Sequence, residues 1–150
     1  MCERLRHAIL IVTLTAALPI ALAAYGVQDH QHPAEGGAHQ HPEAAKLKNP
    51  VASNAESIAA GQKLYAKNCA SCHGESGKGD GKMGAQLKPL PSNLTDAEWK
   101  HGASDGEIFT VIRDGVKSTG MKPYGRKMTT HQLWDVVNYL RSIGPKTPSH

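Results

Sequence analysis

Cys69-Ala70-Ser71-Cys72-His73 is the stretch from which the rest of the chain can be read. Two thiols three positions apart, followed at once by an imidazole, form the attachment pattern for a c-type haem. Each thiol can add to one of two neighbouring vinyl groups on a haem edge. The histidine is then held beneath the iron as its proximal ligand. Other uses of paired cysteines fit poorly. A zinc site would need a second Cys or Cys/His pair, and the only other cysteine is Cys2. A thioredoxin-like pair would sit at a strand-to-helix junction, and no strand-rich run surrounds Cys69.

Ahead of this motif lie two regions of contrasting composition. Arg4 and Arg6 precede an uncharged apolar run that ends in Ala21-Leu22-Ala23, so residues 1–24 read as a cleavable export signal. The competing reading is an uncleaved membrane anchor, because the run sits near the lower length limit for spanning. Residues 25–52 read as a flexible arm. They are rich in His, Pro and Gly, show no periodicity, and carry His-Gln-His-Pro twice, at 30–33 and 39–42. Those imidazoles could bind a borderline metal, but nothing in the arm fixes a coordination geometry, and a solvated linker is the preferred reading.

From residue 53 to 146 the pattern is that of a compact all-α domain, with 147–150 as a tail. Four possible capping boxes divide it, beginning at Ser53, Thr95, Ser104 and Thr129. They predict helices over about 54–68, 105–114 and 130–143, and a short segment over 96–101 carrying Trp99. The first helix delivers Cys69 at its end, and the last presents Leu133, Val136, Val137, Leu140 and Ile143 on one face. Between Gly74 and Asn93 the Gly- and Pro-rich sequence suits a loop wrapped round a flat ligand. A domain this small, in a chain only 5% aromatic, has a marginal core of its own, so it is expected to be largely unfolded without its haem.

His73 occupies one face of the iron. Met83, Met121, Met128, His101 and His131 are the candidates for the other. Met128 precedes the Thr129 cap and is better explained as a hydrophobic staple on Leu133. His131 belongs to the first turn of the last helix, and Met83 lies on a loop close to His73. Met121, on an irregular loop just before the last helix, is the expected second ligand.

The domain resembles class I cytochrome c, in particular the small single-haem bacterial type, and is also similar to the cytochrome c subunit of certain terminal oxidases. The likeness rests on Gly61 and Tyr65 ahead of Cys69-x-x-Cys72-His73-Gly74, on Gly77-Lys78-Gly79-Asp80-Gly81, and on Leu90-Pro91-x-Asn93-Leu94-Thr95. Further on it includes Ile112-x-x-Gly115, Met121 with Pro123, and Trp134-x-x-Val137-x-Tyr139-Leu140. It implies the cytochrome c fold, with first and last helices crossing near Gly61 and Tyr65 against Val136 and Tyr139. It also implies one haem c joined through Cys69 and Cys72 and ligated by His73 and Met121. Two departures from the family pattern stand out. Lys122 separates Met121 from Pro123, and Lys82 stands where a proline often follows the Gly-Asp-Gly loop, which leaves the carbonyl partner of His73 unassigned.

An iron closed on both sides by His and Met is suited to changing charge by one unit rather than to binding a substrate. The expected function is therefore one-electron transfer between redox proteins outside the cytoplasm, in the periplasm, and not enzymatic catalysis. Two rivals are a fixed electron-transfer subunit of a dehydrogenase or oxidase, and a ligand-binding or peroxidatic haem protein. The formal charge is +4, and Lys78, Lys82, Lys88, Lys117, Lys122 and Lys127 flank the expected haem loops, which suits an acidic patch on a partner. No module for nucleic acid accompanies this modest charge. Membrane association is expected only through an uncleaved leader or a membrane-bound partner.

Overall fold

A computed structural model describes residues 42–145; the expected leader, the His-rich repeats up to residue 41, and residues 146–150 with the expected tail lie outside it. Five α-helices follow in order: α1 (Pro42–Ala45), α2 (Ala55–Asn68), α3 (Ala70–His73), α4 (Asp105–Asp114) and α5 (Thr130–Ile143), with a 3₁₀ turn at Gly84–Gln86. No strand occurs among the described residues, so the fold is all-α.

The helix ends show which local signals act. Ser104 accepts from the Glu107 amide while the Glu107 side chain returns to the Ser104 amide, and Thr129 and Gln132 do the same for α5. The other two expected boxes do not form. Asn54 rather than Ser53 caps α2, its side chain accepting from Ser57 N. The Thr95 hydroxyl donates to Asn93 Oδ1 at 2.7 Å, and residues 96–101 are turns rather than a helix. An Asx side chain beside a hydroxyl competes for the same backbone donors, and at both places it prevails.

The core is built on α2 and α5, with α4 beside them. Val137 and Val136 are 0% and 1% exposed, and they pack with Tyr65, Leu133 and Leu140. Phe109 of α4 stacks on Trp134 of α5 with centroids 4.2 Å apart. The two long helices meet at Gly61. A side-chain carbon there would overlap the Asp135 carbonyl oxygen and lie 2.9 Å from Tyr139 Cβ. The expected crossing is thus present, with the Asp135 backbone as its closest point.

The arm, expected to run to residue 52, gives way earlier to structure that packs on the helices. Ala44 of α1 is buried, and its carbonyl lies where a Cβ of Gly106 would be. Residues 49–52 are held by a buried polar chain. Asn49 Nδ2 donates to Asn138 Oδ1 at 2.8 Å, and Asn138 Nδ2 donates to Ser57 Oγ at 2.8 Å. Ser57 Oγ in turn donates to Asp135 Oδ1 at 2.6 Å. Low apolar content suggested disorder, but these side chains are satisfied by partners far along the chain. Asn138→Ala would strand the Asn49 amide and one acceptor of this chain. It is expected to lower stability by about 2 kcal/mol, read as a shift in urea midpoint with an unchanged slope.

Candidate haem site

The end of α2 runs directly into the motif. The Cys69 amide donates to Tyr65 O, and the Cys72 and His73 amides both donate to Cys69 O, at 3.1 and 2.9 Å. Cys69, Cys72 and His73 therefore sit on one short turn with half-buried side chains. Gly74 closes it at φ +80°, a conformation that L side chains rarely adopt. Its carbonyl accepts from the buried Tyr65 hydroxyl at 2.7 Å, which fixes the turn to the core.

His73 Nδ1 lies 3.1 Å from Ser92 O. A carbonyl can only accept, so Nδ1 carries the proton and Nε2 keeps its lone pair for a metal. Burial lowers the His73 pKa, opposed by the Ser92 bond, and this favours the neutral ring that ligation requires. Burial, aided by the Cys72 charge, pushes the Cys69 thiol up to about 11. A thioredoxin-like nucleophile needs the opposite shift.

Met121 lies on the loop between α4 and α5, half-buried against the same core cluster as Cys69, Leu94 and Trp99. Its amide donates to Thr119 Oγ1 at 3.1 Å, and its carbonyl accepts from Val116 N at 3.1 Å. Gly120 of this loop packs against Leu87 of the Gly- and Pro-rich loop, so the segment carrying Met121 meets the one leading to Ser92. The other candidate ligands are placed elsewhere. Met128 is 7% exposed within the core, Met83 is 63% exposed, and the His131 side chain faces solvent 3.7 Å from Asp135. His101 lies on the turn segment after Trp99.

The residues fit a haem. Two thiols and a neutral imidazole with a free Nε2 form a donor set for covalent attachment and axial ligation. Trp99 Nε1 is buried without a hydrogen-bond partner, as a donor awaiting an acceptor on a bound group would be. Nothing in the residue types marks the Ser92 carbonyl, which any residue could supply. Trp99 could be found in the sequence only as a polar-tipped aromatic in a small core.

A helical fold with a half-buried, Nδ1-protonated imidazole beside paired thiols defines a c-type haem electron-transfer domain. The chain belongs to the cytochrome c family, whose sequence pattern it matches over residues 58–144. The cofactor is accordingly haem c, covalently attached. Similar curated proteins include the cbb3-type cytochrome c oxidase subunit CcoP of Rhodobacter capsulatus, 38% identical over 57% of this chain and 29% of that protein. The subunit FixP of Azorhizobium caulinodans is 31% identical over 56% of this chain and 26% of that protein. This chain thus spans less than a third of the length of these relatives. Among solved structures, cytochrome cL of Methylophaga aminisulfidivorans is similar at TM-score 0.51 and 26% identity, over 61% of this chain and 55% of that one. A chain of the reducing HAO-like protein complex of Kuenenia stuttgartiensis shares the fold, at TM-score 0.61 and 24% identity, over 67% of this chain and 49% of that one.

Proposed function

We propose that this chain is an exported one-electron carrier whose haem is joined through Cys69 and Cys72 and ligated by His73 and Met121. Bound haem c supplies an Fe(III)/Fe(II) couple. Burial favours the neutral His73 ring, Ser92 keeps its proton on Nδ1, and a loop tied to α4 carries the thioether. The observation that carries this reading is the His73–Ser92 bond, because it leaves only Nε2 available to a metal. With both axial positions filled there is no place for a substrate, which argues for a non-enzymatic role.

The six lysines named above are all exposed. Met83 and Leu90 are 63% and 55% exposed. The Met83 amide donates to Ser71 O at 2.9 Å, so Met83 adjoins the attachment turn. Exposed lysines and an exposed methionine beside the attachment turn suit transient docking to an acidic redox partner. The expected leader, with haem attachment after export, supports a periplasmic setting. No helix among the described residues is long and apolar enough to cross a membrane.

The test is to mature the protein in an export-competent host. The product should gain the mass of one haem, its two thiols should resist alkylation, and its oxidised form should show the weak far-red band of sulfur ligation. Free Cys69 and Cys72 thiols in the exported product would rule the proposal out. Similarity to the oxidase subunits CcoP and FixP favours a second reading, service inside an oxidase complex. It predicts copurification with membrane-bound oxidase activity from the native host, whereas a free carrier runs as a monomer.

A further inference from the structure

Lys122 breaks the usual run from Met121 into proline, so the loop needs another fastening. It has one on each side. Towards α4, Tyr124 N donates to Ile112 O at 3.1 Å and Gly125 N to Arg113 O at 2.9 Å. Gly115, at φ +69°, brings the loop within van der Waals distance, since a Cβ there would lie 2.7 Å from Met121 O and 2.8 Å from Pro123 N. These contacts tie the loop to one helix but do not bring it to the attachment turn.

The second fastening does. Tyr124 Oη donates to Asn68 O at 2.7 Å. Asn68 is the last residue of α2 and immediately precedes Cys69, where helix carbonyls have run out of intrahelical donors. The phenol therefore joins the chain three residues after Met121 to the residue before the first thiol. Burial raises the Tyr124 pKa, which keeps the hydroxyl protonated and able to donate. Lys127 Nζ lies 5.4 Å from the ring centroid and covers it.

The geometry points to Tyr124 as a positioning residue for the second axial ligand: its hydroxyl latches the Met121 loop to the end of α2 and sets how often the thioether leaves the iron. This rests on the His73/Met121 reading above. Whenever the loop opens, the sixth position becomes available to an exogenous ligand. Tyr124→Phe keeps the ring and its packing and removes only the latch. A lost hydrogen bond of ordinary strength corresponds to roughly a fivefold rise in the open population.

The experiment is carbon monoxide binding to the reduced, matured holoprotein at neutral pH, at carbon monoxide low enough for loop opening to act as a pre-equilibrium, so that the rate follows the open population. Tyr124→Phe is expected to bind roughly fivefold faster than wild type while keeping the far-red band when oxidised. Val137→Ala, a core change in α5, serves as the control for general loosening. It should lower the unfolding midpoint and leave the carbon monoxide rate unchanged. An unchanged rate in Tyr124→Phe, or an equal rise in Val137→Ala, overturns the latch. Absence of the far-red band in wild type removes the Met121 reading and the latch with it. Presence of that band with a flat Tyr124→Phe response removes the latch alone.

Discussion

Met121→Ala is expected to lose the far-red band of the oxidised protein, to bind carbon monoxide readily when reduced, and to fall in potential by on the order of 100 mV. The thioether is a soft, neutral donor that stabilises the reduced iron more than the oxidised. Alanine leaves that position to water or to a harder side chain, which reverses the preference. The shift is a modest part of the ~0.8 V that axial ligation spans across haem proteins. The loop should stay in place, because its ties to Thr119, Val116, Ile112 and Asn68 do not use the methionine side chain. Helical content and midpoint should therefore change less than the potential does. A redox titration with parallel spectra decides the matter. Retention of the band would pass the role to another sulfur. Met128 is buried beneath the start of α5 and Met83 faces solvent, so neither is positioned as well.

That the site's residues could be found in the sequence owes much to how local the motif is. Cys69, Cys72 and His73 lie within one turn, so their spacing specifies their geometry before any tertiary contact is known. The helices α4 and α5 were similarly plain, because a capping box and a 3.6-residue pattern agree at Ser104 and at Thr129. What stayed hidden depends on groups without a sequence signature or on partners far away. Ser92 contributes a carbonyl, which no residue type announces. Asn49 reaches Asn138, 89 positions away, so composition alone made an arm of a segment that packs on α5. At Ser53 and Thr95 the box pattern was present, but a neighbouring Asn offered a competing acceptor. Tyr124 could be read as an aromatic in a loop, whereas its bond to Asn68 O required the two ends of the site to be placed together.

Gly61→Val is expected to destabilise the matured protein by at least about 3 kcal/mol and to lower its thermal midpoint by more than about 10 °C. Most overpacked cores recover part of the cost by turning a side chain aside. At this crossing the first obstacle is backbone: the Asp135 carbonyl oxygen, whose carbon would lie 2.6 Å from the new Cβ. The helices must separate, and α2 cannot move alone. Tyr65 and Tyr139 sit on the two facing helices with ring centroids 5.2 Å apart. Tyr65 also donates from its hydroxyl to Gly74 O, next to His73. Prising α2 from α5 therefore pulls on the turn that holds the imidazole, and the yield of haem-bearing protein should fall together with stability. Denaturant unfolding and haem content per polypeptide, measured on the same preparation, separate the two effects. If the midpoint stayed within a degree or two of wild type, the close approach at Gly61 would not be what holds the helix pair. Gly61→Ala gives the graded comparison. Its single carbon already meets Asp135, so it should carry most of the loss, while the two further methyls of valine add the smaller part.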